Sequence, residues 1–221
     1  MEQVKSLFVL AVITIVIGFT SVSAEPWQKT IDFGFNLTQN SYSDSWSGGE
    51  AGNITWVSKI DAMFEKQVSP IFNFKNTSKL QFGQTHIQDQ ETKDWHKPQK
   101  STDKIDIENL GRFTLNAFVD PYVAFRLESQ FLDASVDSVK RFFNPMLLTE
   151  SAGIAKMLYE KDKDNIMSRL GFSIRQHMNK DIVSYDPEEF ETVTTNDGGI
   201  ESVTDANFIF SENLTYTGKL S

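Results

Sequence analysis

The sequence predicts an all-β protein: an antiparallel, up-and-down transmembrane β-barrel, with about nine strands present and more expected downstream. Three observations predict it. Apolar residues recur at every second position through many segments, the period of a strand with one dry and one wet face. Many of these segments reach about ten residues, longer than the usual strand of about 5–6 and close to the about 9–11 that a tilted strand needs to cross a bilayer. Tight turns alternate with long polar links, the rhythm of barrels with short periplasmic turns and longer external loops.

Length and composition set the frame. The 221 residues are enough for one domain or one barrel. Hydrophobic residues make up 39% and aromatics 12%, with 18 Phe, too apolar for a disordered chain. A formal net charge of -9 argues against a nucleic-acid partner, which would leave a basic footprint. The chain has no Cys, which removes disulfides, thiolate metal sites and a Cys nucleophile. Lys5, the apolar run Leu7 to Phe19 and the small residues Ser21-Val22-Ser23-Ala24 read as a cleaved signal peptide over residues 1–24, leaving 25–221 as the barrel domain. No later apolar run is long enough for a membrane helix, so crossing would fall to strands.

The first strand, about Trp27 to Thr38, sets Ile31, Phe33, Phe35 and Leu37 against Thr30, Asp32, Asn36 and Thr38. The second, Asn53 to Glu65, sets Ile54, Trp56, Ile60, Ala62 and Phe64 against Thr55, Lys59, Asp61 and Glu65. The Gly-rich stretch Ser45-Trp46-Ser47-Gly48-Gly49-Glu50 lies between them and reads as the first external loop. The third strand runs from Pro70 to Gln84, the fourth from Lys104 to Asn116 and the fifth from Tyr122 to Phe131. The sixth, Leu147 to Glu160, alternates least cleanly, with Ile154 and Leu158 on its charged side. The seventh covers Ile166 to Met178, the eighth Glu201 to Phe210, and the ninth starts at Leu214. Tight turns fall at Glu65–Ser69, Ala117–Pro121, Lys161–Asp164 and Ser211–Asn213; long links fall at Asn40–Gly52, Thr85–Thr102, Leu132–Met146 and Asn179–Ile200.

Two further patterns bear on orientation. Trp27, Phe64, Phe72, Phe118, Tyr122, Tyr159, Phe208, Phe210 and Tyr216 lie near short turns or the mature N-terminus, as a girdle at the periplasmic interface would. The other face carries Lys59, Asp61, Lys75, Glu108, Arg112, Arg126, Glu128, Arg169 and Arg175. Such charges would cost about 2–4 kcal/mol each in mid-bilayer lipid, so they are expected to line the lumen and pair there. A wide pore takes about 16–18 strands, so a narrow or plugged lumen is expected.

Chemistry-bearing residues are sparse. Ser173 and His177 share a strand face and are the nearest approach to a hydrolytic set, but no residue stands out to orient the base. His86 and His96 are expected in a loop, without metal-ligand spacing. The acidic stretch Asp181 to Glu191 lacks the spacing of a calcium loop and reads as a solvated external loop. Asn-X-Ser/Thr patterns at Asn36, Asn53, Asn76 and Asn213 read as strand composition. No catalytic, metal or cofactor-binding residue is assigned, and no cofactor is expected.

Asn36-Leu37-Thr38-Gln39-Asn40-Ser41, Asp44 to Glu50, and Asn53-Ile54 resemble the start of an uncharacterised Bacteroidota family, domain of unknown function 3078. Lys104-Ile105-Asp106 and Leu147-Leu148-Thr149-Glu150 resemble its later strands. The resemblance extends over roughly Trp27 to Ser221 and implies an outer-membrane β-barrel of a Gram-negative cell, exported by the Sec route. It implies no reaction and no catalytic residues; members generally continue for several strands more, and the sequence is expected to be a truncated barrel. The expected role is structural or surface-interacting, with lipid, lipopolysaccharide, periplasmic chaperones and the barrel-assembly machinery as partners. A narrow solute channel or transporter is the first alternative and a membrane-embedded hydrolase the second.

Overall fold

The computed structural model describes residues 26–42, 51–136, 139–161, 164–185, 188–211 and 214–220. Nine strands form one sheet: β1 (Gln28–Asn40), β2 (Asn53–Ser69), β3 (Phe72–Ile87), β4 (Gln99–Arg112), β5 (Asp120–Ser129), β8 (Met146–Lys161), β9 (Asp164–Tyr185), β10 (Glu188–Ser211) and β11 (Leu214–Leu220). Every strand pairs antiparallel with its neighbour in the sheet. A separate hairpin, β6 (Leu132–Val136) with β7 (Val139–Phe142), interrupts the meander between β5 and β8. No helix occurs among the described residues, so none is long and apolar enough to cross a membrane; strands are outside that statement.

Register sets apolar against apolar over much of one face, which also carries Asn76, Ser78 and Asn109, opposite Phe64, Ala62 and Phe125. Ile31 pairs with Ala62, Phe33 with Ile60 and Leu37 with Trp56; Ile60 meets Leu80, and Leu80 meets Ile105. Because side chains alternate and directly opposed residues share a face, one register error would turn this whole set over. Most of the apolar face is turned to the outside, with Phe33 69% exposed, Phe172 74% and Ile200 76%, whereas Ile105 on that face is covered, at 5%. The opposite face holds the buried residues Leu110, Tyr122, Ala155 and Met167, which pack together. This is the reverse of a water-soluble sheet, where the apolar side is covered.

The sheet curls around its polar face. Lys219 Nζ of β11 lies 2.7 Å from Glu108 of β4, although four strands separate them. At about 4.8 Å per strand a flat sheet would hold their backbones roughly 24 Å apart, beyond the reach of the two side chains. The nine strands therefore form a half-barrel with a charged concave side. Its borders, β1 and β11, each pair with one neighbour. They run in the same direction, and among the described residues they do not pair with each other.

The nine expected strands are the nine strands of the sheet, in order, but several details change. β4 starts at Gln99 and stops at Arg112; Asn116 then adopts φ 53° in the turn to β5, where Asn is tolerated. The link Asn179–Ile200 is no loop: β9 runs on to Tyr185 and β10 starts at Glu188. Its acidic residues Asp181, Glu188, Glu189 and Glu191 are exposed strand residues, and wetting on both faces hides the period of two. The irregular sixth strand has a β-bulge between Met157 and Tyr159, which leaves both Leu158 and Tyr159 exposed. Tyr122 does not join an outer girdle; it faces inward and is 2% exposed. Gly171 makes room for its phenol, since a Cβ there would stand 2.6 Å from the Tyr122 hydroxyl and 2.4 Å from the Ala152 carbonyl. His86 lies in β3, not in a loop. The Ser45–Glu50 motif lies outside the described residues.

Candidate functional site

The strand period puts Lys59, Asp61, Glu108, Arg112, Arg126, Glu128, Arg169 and Arg175 on the concave side, at positions alternate to the outward apolar residues. The structure resolves them into local groups. Lys59 meets Asp61 at 3.2 Å, Arg112 meets Asp120 at 3.5 Å, and Arg175 meets Asp197 at 2.7 Å. Arg126 grips Asp106 through Nε at 2.9 Å and Nη2 at 3.0 Å, a two-pronged geometry, and also lies 3.0 Å from Glu128. Lys104 completes that group, 3.0 Å from Asp106.

Arg169 is the hub of the largest group. It is 1% exposed, lies 2.8 Å from Glu108 and 3.6 Å from Asp205, and sits 5.5 Å from the centre of the Tyr122 ring. Lys219 adds a second cation to Glu108. Side chains from β4, β5, β9, β10 and β11 thus meet at one point inside the curl. Beside them lies a cavity of about 50 Å³ lined by Glu65, Lys75, Leu110, Arg112, Met167 and Asp205 among others. Sequence reasoning left Lys104, Asp106, Asp205 and Lys219 out of the lumen set, although their places in the strand alternation carried the signal. Tyr122 carried the same signal, in step with Arg126 and Glu128 on β5, but its aromatic character and its place beside a short turn pointed to the girdle instead.

The outward face is bounded by two levels of aromatic rings. At the short-turn end Trp27 meets Phe74 at 6.4 Å, Phe72 meets Phe113 at 5.2 Å, and Phe208 lies 6.2 Å from Tyr159 and 6.3 Å from Phe210. At the long-link end Phe35, Trp56, Phe82 and Phe131 follow one another at 6.4, 5.9 and 6.2 Å. The second level was not expected from sequence, because its four rings come from four separate segments. Phe72 and Phe82 belong to opposite levels and lie ten residues apart on β3. At about 3.3 Å per residue and a tilt of about 40°, that is roughly 25 Å of height. Cations near the lower level lie over rings: Lys66 Nζ is 5.6 Å from the Trp27 centre, and Lys156 Nζ 3.1 Å from that of Phe118.

The long-link end is stitched by buried polar groups. Asn144 is 1% exposed; its Nδ2 donates to Asp133 at 2.7 Å and Asn179 at 3.0 Å, and its Oδ1 accepts from Lys180 N at 2.6 Å. Arg141 meets Asp133 at 2.6 Å and donates to the Lys180 carbonyl at 2.5 Å. On the other side, Asp103 accepts from the amides of Phe131 and Leu132 at 2.6 and 2.9 Å. Burial works against ionisation of Asp133, but hydrogen bonds from Asn144 and Ser135 and the nearby Arg141 outweigh it and hold its carboxyl below the usual range. In the 88–98 link, the amides of Thr92 and Glu91 hold Asp89 low as well, and His96 Nε2 stands 3.6 Å from it.

Ser173 and His177 lie four residues apart on continuous β9, about 13 Å along the strand, too far for a mutual hydrogen bond. Among the described residues no group of three or more His, Cys, Asp or Glu is placed to hold a metal ion. Residues 37–134 match a family model described as Protein of unknown function (DUF3078). No curated protein and no solved structure matches the chain.

Proposed function

We propose, starting from that family match and the half-barrel fold, that the chain is an outer-membrane β-barrel protein with a structural or surface-interaction role. One observation carries the reading. An outward apolar face, with rings such as Phe33 and Phe172 bare, is bounded by two aromatic levels roughly 25 Å apart, the height of a barrel's lipid-facing band. In water such a face would be a large aggregation-prone patch; in lipid it is simply solvated. The charged residues then face away from lipid, paired with one another.

Orientation follows from the links. Short turns join β2 to β3 and β4 to β5 at one end, whereas the β6–β7 hairpin and the extended β9–β10 arm project from the other. We place the first end in the periplasm and the second outside the cell, with residues 1–24 as a Sec signal peptide removed on export. Lipid, lipopolysaccharide, periplasmic chaperones and the assembly machinery are the partners this reading requires. No catalytic reaction and no cofactor forms part of it.

A narrow solute pathway is the second reading, favoured by the charged concave side and its cavity. The packed cluster of Leu110, Tyr122, Ala155 and Met167 weighs against a wide one. The first experiment is flotation of the refolded chain with phosphatidylcholine vesicles on a density gradient, followed by a carbonate wash. Co-flotation that survives the wash supports the proposal; recovery as a detergent-free soluble protein refutes it. Conductance in planar bilayers separates the two readings, steady single-channel current favouring the second.

A further inference from the structure

The β6–β7 hairpin presents two large rings to the outside. Phe142 is 57% exposed and Phe143 51%, and Phe143 holds φ 54°, a conformation that a bulky residue rarely adopts. The exposure is built in, because the residues around the rings are fixed. Val139 and Asn144 are 2% and 1% exposed, and Arg141, Asp133 and Asn144 tie the hairpin to the β9 backbone. The Phe143 amide donates to the Phe131 carbonyl at 3.4 Å.

Alternation on β7 sends Val139 and Arg141 toward the body, and Lys140 and Phe142 away from it. Across the hairpin Phe142 pairs with Leu132. The Leu132 amide is bound by Asp103, which shares the outward register with Ile105 and Phe82. The chain enters the hairpin from Phe131, whose ring stands edge-on to Phe82 in the upper aromatic level. The hairpin's apolar side is therefore continuous with the upper border of the lipid-facing band.

We propose that the β6–β7 hairpin rests on the outer lipid interface, with Phe142 and Phe143 inserted at the boundary of headgroups and acyl chains. This rests on the membrane reading above. Lys140, exposed on the same side as Phe142, supplies a cation to the lipid phosphates while the rings reach inward. The hairpin is then a depth stop that fixes how far the barrel sinks, not a docking loop for another protein.

The chain has no Cys, so single-cysteine variants accept one nitroxide label each. Phe142→Cys and Phe143→Cys are compared in phosphatidylcholine vesicles with Phe33→Cys on the band and Glu189→Cys on the β9–β10 arm. Collision rates with oxygen, which concentrates in lipid, and with a water-soluble nickel chelate are read by power saturation. The proposal expects both hairpin labels to show an oxygen-to-nickel ratio several-fold above that at Glu189 and close to that at Phe33. A nickel-dominated ratio at the hairpin with an oxygen-dominated Phe33 overturns it and leaves the membrane reading standing. Shielding of the hairpin label from both reagents means a protein contact and overturns it equally. Nickel dominance at Phe33 overturns the membrane reading itself. Should Phe143→Cys fail to fold because of its φ, Phe142→Cys carries the test.

Discussion

Replacing Arg169 with Met should cost the fold about 3 kcal/mol, because it strips the main cation from a buried cluster. Arg169 is 1% exposed and faces two carboxylates, Glu108 at 2.8 Å and Asp205 at 3.6 Å. Removing one partner of a buried pair costs about 3–5 kcal/mol, since the remaining charge stays out of water without compensation. Lys219 still reaches Glu108 at 2.7 Å, which puts the expectation at the lower end of that range. Met keeps most of the side-chain volume, so the loss reads charge more than cavity. With a urea slope of about 2–3 kcal/mol per molar, the unfolding midpoint should fall by about 1 M or more. The assay is equilibrium urea unfolding in lipid vesicles, followed by tryptophan fluorescence. Adding Glu108→Gln to Arg169→Met should recover part of the loss, because one stranded carboxylate is gone. An unchanged midpoint in the single variant, or a double variant as weak as the sum of the two singles, would refute the hub.

The remaining predictions concern other parts of the molecule. Ile31→Arg puts a cation midway along the outward band, between Trp27 and Phe35, and should cost about 2–4 kcal/mol, seen as reduced insertion into vesicles, whereas Asn36→Arg on the other face of β1 should insert normally. Gly171→Ala would place a Cβ against the Ala152 carbonyl and the Tyr122 hydroxyl and should destabilise by about 1–3 kcal/mol of overpacking, measured by the same urea titration. Asp133 has a folded-state pKa below its ordinary value of about 3.9. Its contribution to the hairpin is therefore complete above about pH 4 and is lost as pH falls through the lowered folded value. The mobility of a nitroxide at Phe142→Cys should rise only at that acidic end, and Asp133→Asn should flatten the dependence; a change between pH 7 and 5 would contradict it.

Much of the sheet was legible because its two faces differ so strongly. In β1 the run Ile31, Phe33, Phe35, Leu37 states both the strand and which side is dry. Where both sides are wet the signal disappears, which is why the acidic arm of β9 and β10 reads as a loop and yet forms paired strands from Asn179 to Val193. In β8 the bulge at Leu158 shifts the period by one and blurs the pattern on either side of it. The charged face was legible residue by residue, but not its pairing. The meeting of Arg169, Glu108 and Lys219 depends on how tightly the sheet curls, and curvature leaves no local trace in a sequence. The hairpin network of Asp133, Arg141 and Asn144 was hidden for a related reason: its partners, Asn179 and Lys180, come from a distant strand.

The most direct test of the account is a cysteine scan along β2, from Ser58 through Phe64, in phosphatidylcholine vesicles, reading oxygen against nickel accessibility at each labelled position. The outward residues Ser58, Ile60, Ala62 and Phe64 should favour oxygen, and Lys59, Asp61 and Met63 between them should not, giving an oscillation with a period of two. A flat profile, or one in which the charged positions favour oxygen, would contradict a lipid-facing apolar side.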